Sequence, residues 1–125
     1  MSIKKRWLAV FVENEVGVLA KISGMCSSKL YNIESISVGT TIDPTISRMT
    51  FGFLSNDDTF EQIKKQMNRC VEVIKVVDLT TIPTHMKELM FIKLKINSPV
   101  EKEEVISIAK IFRASIIDYD MEKII

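Results

Sequence analysis

The sequence predicts an α+β fold: an antiparallel sheet of four strands with two helices on one face, followed by a partial second unit of the same kind. Three observations lead there. Patterns along residues 1–80 follow the order strand, helix, strand, strand, helix, strand, which is the split βαβ or ferredoxin-like arrangement βαββαβ. Apolar residues run continuously in the first strand segment, alternate in the strands at 33–40 and 46–54, and recur at helical spacing between them. After a linker at 81–87 the pattern restarts as strand, helix, strand over 88–125 and goes no further.

Residues 5–13 form a nearly continuous apolar run, Trp7 to Val12, which suits a central strand. Residues 17–30 place Leu19, Ile22, Met25, Cys26 and Leu30 at helical spacing. Residues 33–40 alternate, with Ile36 and Val38 on one face and Ser35 and Ser37 on the other. Asp43-Pro44 breaks the run with a turn. Residues 46–54 make the next strand, with Met49, Phe51 and Phe53 sharing a face. Asn56-Asp57-Asp58-Thr59 offers N-caps for a helix that stripes Phe60, Ile63 and Met67. Val71 to Leu79 closes the unit as a fourth strand. Past the linker, Leu89 to Ile96 alternates as a strand, and Ser98-Pro99 starts a helix over about 100–112. That helix turns Val105, Ile108, Ala109 and Phe112 inward, and Ala114 to Tyr119 forms another strand. Lys123-Ile124-Ile125 reads as the opening of one more. A half-unit has too little apolar cover to stand alone, so its open side is expected to be paired by another chain or to be poorly ordered.

At 125 residues and 46% apolar content, the chain has the size and composition of one folded domain with a fragment. A formal charge of +1, from 17 basic and 16 acidic side chains, argues against nucleic acid or an anionic membrane as partner. No stretch is long enough to span a bilayer, and the six-residue apolar run after the basic start is shorter than a signal-peptide core. Cys26 and Cys70 make no disulfide framework, which suits the reducing cytoplasm. His85 has no nucleophile or carboxylate beside it in the linker, so no catalytic group is expected.

The chemically suggestive stretch is the turn from Asn14 to Gly17, where an apolar strand enters an amphipathic helix. Backbone N–H groups at a helix start lack intrahelical partners, and a small anion such as a carboxylate satisfies them. Gly17 lets a ligand approach the backbone because no Cβ intervenes. The plain alternative is a helix-start turn with no ligand.

Glu13-Asn14-Glu15-Val16-Gly17-Val18-Leu19, Tyr31-Asn32-Ile33-Glu34-Ser35 and Asp43-Pro44-Thr45-Ile46-Ser47-Arg48-Met49-Thr50 together resemble the small, regulatory subunit of acetolactate synthase (acetohydroxyacid synthase). Residues 1–80 are similar to its ACT domain, and Ile111-Phe112-Arg113-Ala114-Ser115-Ile116-Ile117-Asp118 resembles the start of its C-terminal domain. The resemblance implies a cytoplasmic, non-catalytic subunit of branched-chain amino acid biosynthesis. Such a subunit binds valine or a related amino acid across an ACT homodimer and modulates a catalytic large subunit. The thiamine diphosphate, magnesium and flavin of that holoenzyme sit on the catalytic partner, so no cofactor or metal is expected here. By similarity, Asn14, Val16, Gly17, Val18 and Leu19 hold the ligand carboxylate through the turn. Asn32 and Ile33 of a second chain hold its amino group and side chain. The chain departs from the family at Leu30, where a glycine commonly precedes the Tyr-Asn pair.

Three competing readings share the fold. An acylphosphatase-like enzyme needs an arginine and an asparagine converging on phosphate, for which Arg48 and Asn14 are the loose candidates. A nucleic-acid module needs exposed aromatics on the central strands, and Phe51 and Phe53 share a face with Met49. An ACT-type amino-acid sensor for a different enzyme needs the same turn.

Overall fold

The computed structural model describes residues 2–125, which divide into a first unit ending at His85 and a second, Met86–Ile125. In the first unit, β1 (Lys4–Glu13), α1 (Val18–Ser28), β2 (Ile33–Thr40), β3 (Ile46–Ser55), α2 (Asp57–Arg69) and β4 (Val73–Asp78) follow in order. The sheet runs β2-β3-β1-β4, antiparallel throughout. The apolar run at residues 7–12 thus lies in a central strand, hydrogen-bonded on both edges, as its composition predicts.

Both helices cover one face. Leu8, Val10 and Val12 of β1 and Met49, Phe51 and Phe53 of β3 meet Val18, Ile22 and Cys26 of α1 and Phe60, Ile63 and Met67 of α2. Each large apolar side chain there contributes about 1.5–3 kcal/mol of burial. The Phe51 and Phe53 rings stack with centroids 5.5 Å apart. Asn56 caps α2, its side-chain oxygen accepting from the Thr59 N–H at 2.8 Å. Arg6 points into this covered face and is 6% exposed. It is paired with the Asp57 carboxylate and lies over the Phe60 ring.

The opposite face carries Trp7, Ala9 and Phe11 of β1, with Arg48 and Lys75 flanking Phe11 in register. The Trp7 indole sits under the Lys5 ammonium, 4.9 Å from the ring centre. A Cβ built on Gly52 lies 2.9 Å from that indole and 2.5 Å from the Ser35 hydroxyl, so any side chain there forces one of them to shift.

Two positions of the first helix differ from the sequence reading. Leu19 is 48% exposed and Leu30 91%, and Val18, Ile22 and Cys26 form the buried stripe instead. The helix starts at Val18 and stops at Ser28, so Leu30 lies outside its periodicity. Leu30 adopts φ 59°, the left-handed conformation for which a helix end favours glycine. The Tyr31 N–H donates to the Cys26 carbonyl and the Leu30 N–H to the Ser27 carbonyl, the paired bonds of a Schellman stop. In β2, Ile36 and Val38 face the helix-covered side opposite Phe51 and Met49. They remain 42% and 44% exposed, because β2 is the sheet edge.

In the second unit, α3 (Pro99–Phe112) forms under a Ser98 cap with Pro99 in its first turn. Only Leu94–Lys95 (β5) and Lys123–Ile124 (β6) are strands, paired antiparallel. The expected strands Leu89 to Ile96 and Ala114 to Tyr119 are therefore not formed over their lengths, apart from the bridge Tyr119↔Ile124. The expected inward face of the helix is only partly covered: Val105 and Ala109 are half-buried, whereas Ile108 is 49% and Phe112 79% exposed. A strand needs a neighbouring strand to take its hydrogen bonds, and among the described residues β6 pairs only with Leu94–Lys95.

Candidate functional site

β1 leaves the sheet at Glu13, and the Asn14 side chain fixes the turn into α1. Its Nδ2 donates to the Pro44 carbonyl at 2.9 Å, and its Oδ1 accepts from the Ser47 hydroxyl at 3.0 Å. Its backbone N–H donates to the Thr45 carbonyl at 2.8 Å. The turn is thereby tied to the β2–β3 loop, itself held by the Asp43 carboxylate accepting from the Thr45 N–H and hydroxyl. Those two bonds hold the Asp43 carboxyl below the usual aspartate range.

Gly17 opens α1 at φ 86°, a left-handed conformation that L side chains rarely adopt, and provides no side-chain cap. Nothing lies within 4 Å of a Cβ built there. Among the described residues, no acceptor of the chain takes the N–H groups of Gly17, Leu19 or Ala20. Val18 is different: its N–H reaches the Glu15 carbonyl at 3.4 Å, and its side chain is buried in the core. Val16 is fully exposed. Beside the turn lies a cleft of about 80 Å³ walled by Val12, Val18, Leu19, Val38 and Met49, with Glu13, Asn14, Glu15 and Ser47 as its polar edge. A salt bridge from Lys21 to Glu72 at 2.7 Å ties the first turns of α1 to the approach of β4. Their hydrogen bond raises the Lys21 pKa and lowers that of Glu72.

Asn32 and Ile33 are at the other end of α1, some eleven residues and roughly 16 Å of helix away. Asn32 is exposed and lines a separate cleft of about 190 Å³ with Leu30, Tyr31, Ser55 and Thr59. Ile33 is half-buried against the core opposite Phe53. One chain therefore does not bring the two halves of the expected site together.

Ser47 is the residue that sequence reasoning passed over. The signal was present: it is the polar member of the otherwise apolar series Ser47, Met49, Phe51, Phe53 on the covered face. Arg48 lies on the opposite face, 5.8 Å from the Phe11 ring centre, and the Asn14 carboxamide is already engaged. These two do not converge on a phosphate. Cys26 and Cys70 are free thiols, and burial, with the neighbouring Cys70 adding to it, raises the Cys26 pKa to about 11.

An edge-to-edge order of β2-β3-β1-β4 with two helices on one face is the ferredoxin-like fold, here with a glycine-opened first helix. The ACT domain of a GTP pyrophosphokinase from Chlorobium tepidum superposes with a TM-score of 0.54 at 19% identity, over 62% of this chain and all of that one. A family model for the AHAS small subunit-like ACT domain matches residues 8–75, and one for the small subunit of acetolactate synthase matches 87–125. The chain belongs to the acetolactate synthase small-subunit family. The acetolactate synthase small subunit of Aquifex aeolicus is 41% identical over 94% of this chain. The isozyme 3 small subunit of Salmonella typhimurium is 40% identical over 91%. The crystal structure of the small subunit from Thermotoga maritima superposes with a TM-score of 0.82 at 29% identity, covering 98% of this chain. The chain spans 61% of the Aquifex protein, 69% of the Salmonella protein and 76% of the Thermotoga chain.

Proposed function

We propose that this chain is a non-catalytic regulatory subunit of acetolactate synthase whose first unit binds valine or a related branched-chain amino acid between two copies. The observation that carries the reading is the helix start at Gly17, with free N–H groups beside a small cleft that has one apolar wall. The N–H groups and the helix dipole favour a carboxylate. Val12, Val18, Val38 and Met49 offer a surface for a short branched side chain. The ammonium needs an acceptor, and Asn32 of a second chain is the group assigned to it.

The free edge of β2, with Ile36 and Val38 half-exposed, supports pairing of two copies into a continuous sheet. A two-fold seam of this kind makes two equivalent sites. Charge-assisted hydrogen bonds contribute about 1.5–3 kcal/mol each, and burying a valine side chain adds about 1.5–3 kcal/mol. Set against several kcal/mol of lost freedom, these give affinities of roughly micromolar to millimolar. The ligand then biases the assembly by its preference for the paired state, and the catalytic large subunit responds to that bias. Thiamine diphosphate, magnesium and flavin chemistry belongs to that partner in this reading.

Calorimetry with valine, alanine and lysine tests it. Valine gives saturable heat below the millimolar range, and alanine and lysine give far less. No heat and no thermal shift with any branched-chain amino acid up to millimolar overturns the reading. Co-purification with a thiamine-dependent synthase separates it from service to a different enzyme.

A further inference from the structure

Ser47 and Ser55 stand at the two ends of the covered face of β3, with Met49, Phe51 and Phe53 between them. Each is 7% exposed. Each also lies near the start of a helix, Ser47 through its bond to Asn14 and Ser55 just ahead of α2. The Ser47 hydroxyl donates to Asn14. Among the described residues, the Ser55 hydroxyl has no hydrogen-bond partner. A buried hydroxyl left unpaired is costly, and native structures seldom keep one.

Ser55 lies in the wall of the cleft of about 190 Å³ between the end of α1 and the start of α2, more than twice the volume of the cleft of about 80 Å³ at the Gly17 turn. Leu30, Phe53 and Ile63 belong to its apolar lining, and Asn32, Asn56 and Thr59 join Ser55 on its polar side. None of these lining residues is charged. Donors outnumber acceptors on that polar side. The Asn56 Oδ1 is already taken by the Thr59 N–H, which leaves the two Nδ2 hydrogens. The Ser55 and Thr59 hydroxyls each bring a proton. Asp57 and Asp58 open a helix of 13 residues, and among the described residues no acceptor of the chain takes their N–H groups. The charge around this helix start is balanced. Arg6 and Lys4 both pair with Asp57, and Asp58 offsets the second cation.

The geometry points to this cleft as a second ligand site, one that takes a small aliphatic monocarboxylate. The carboxylate accepts from the Asp57 and Asp58 N–H groups, at the positive end of α2, and from the Ser55 hydroxyl. The hydrocarbon lies against Leu30, Phe53 and Ile63. An α-ammonium group meets no carboxylate among these lining residues, so an amino acid is the poorer occupant. All of these groups come from one chain, so occupation requires neither a second copy nor valine at Gly17.

Titration of the full chain with sodium isovalerate, followed by backbone amide NMR shifts, tests this. Saturable shifts at Ser55, Asp57 and Asp58 are expected, with neutral isovaleramide and zwitterionic valine weaker there by about tenfold. Ser55→Ala weakens isovalerate by about fivefold to tenfold. In the ligand-free chain the same variant keeps or raises the urea midpoint, because it removes an unpaired hydroxyl rather than a bond. A lowered midpoint reveals a partner within the chain and overturns the proposal. So do shifts absent up to millimolar concentration, equal binding of the amide or of valine, and unchanged affinity in Ser55→Ala. In Gly17→Asp, whose first pocket is blocked, the isovalerate shifts persist at Asp57 and Asp58. Their loss there assigns the carboxylate to the Gly17 turn and overturns the second site, whereas failure of valine to bind at Gly17 leaves these outcomes unchanged.

Discussion

Asn14→Ala separates a turn that is held from one that merely passes. Asn14 is exposed, but Ser47, whose hydroxyl it accepts, is 7% exposed. Truncation leaves that hydroxyl without its partner, at a cost of about 1–3 kcal/mol. The second bond, to the Pro44 carbonyl, lies in solvent, where water replaces most of it. The sum is about 1–3 kcal/mol, read by urea denaturation as a midpoint lower by about 1 M with the slope unchanged, given slopes of about 1–3 kcal/mol/M. Ser47→Ala removes the orphaned group itself, so the double variant regains about 0.5–1.5 kcal/mol relative to additivity. Valine affinity falls about tenfold in Asn14→Ala, because the loosened turn no longer aims its N–H groups. An unchanged midpoint, or strictly additive single effects, refutes the assigned role of Asn14.

Other outcomes rest on the same geometry. Gly17→Asp abolishes valine heat, because a carboxylate at the open helix start repels the ligand's own, and it also destabilises by about 1 kcal/mol at φ 86°; retained affinity excludes this pocket. Leu30→Gly raises the unfolding midpoint by the equivalent of about 0.5–1 kcal/mol, since Leu30 is left-handed yet buries almost nothing. Gly52→Ala costs about 1–3 kcal/mol by forcing the Ser35 hydroxyl and the Trp7 ring apart, as equilibrium unfolding will show. The carboxyls of Glu72 and Asp78 titrate below the ordinary glutamate and aspartate ranges. Hydrogen bonding to Lys21 is the main cause for Glu72. At Asp78, burial works upward but is outweighed by Thr80 and Lys64. Their contribution is therefore full above the unfolded pKa values and disappears as pH falls from about 4.5 through the lower folded values, which an acid titration of the unfolding midpoint measures.

Much of the first unit was legible because its core residues are spaced by the period of the element that carries them. Met49, Phe51 and Phe53 alternate, Phe60, Ile63 and Met67 follow a helix, and both sets are buried as read. Leu30 was misread because periodicity does not show where a helix ends, which the left-handed Leu30 decides; Leu19 lies inside α1, beside the buried stripe of Val18, Ile22 and Cys26, and borders the cleft at the turn. Arg6 was illegible for another reason. Its burial depends on Asp57, far along the chain, and no local pattern encodes such a pair. The alternation of 89–96 was real, yet a strand is a property of two segments, and among the described residues only Leu94 and Lys95 have a ladder partner. The candidate turn was visible in Asn14 and Gly17, whereas Ser47 and the wall formed by Val38 and Met49 come from strands brought there by the sheet order.

The single indole of this chain has a practical consequence. Trp7 belongs to the side of the sheet away from the two helices, half-buried, wedged above Gly52 and capped by a lysine. Its emission therefore monitors that surface alone. An effector lodging near Gly17 leaves the spectrum almost silent, whereas a macromolecule settling across the helix-free side of the sheet dims or blue-shifts it. One fluorophore placed there by nature thus tells small-molecule occupancy apart from subunit engagement without any label.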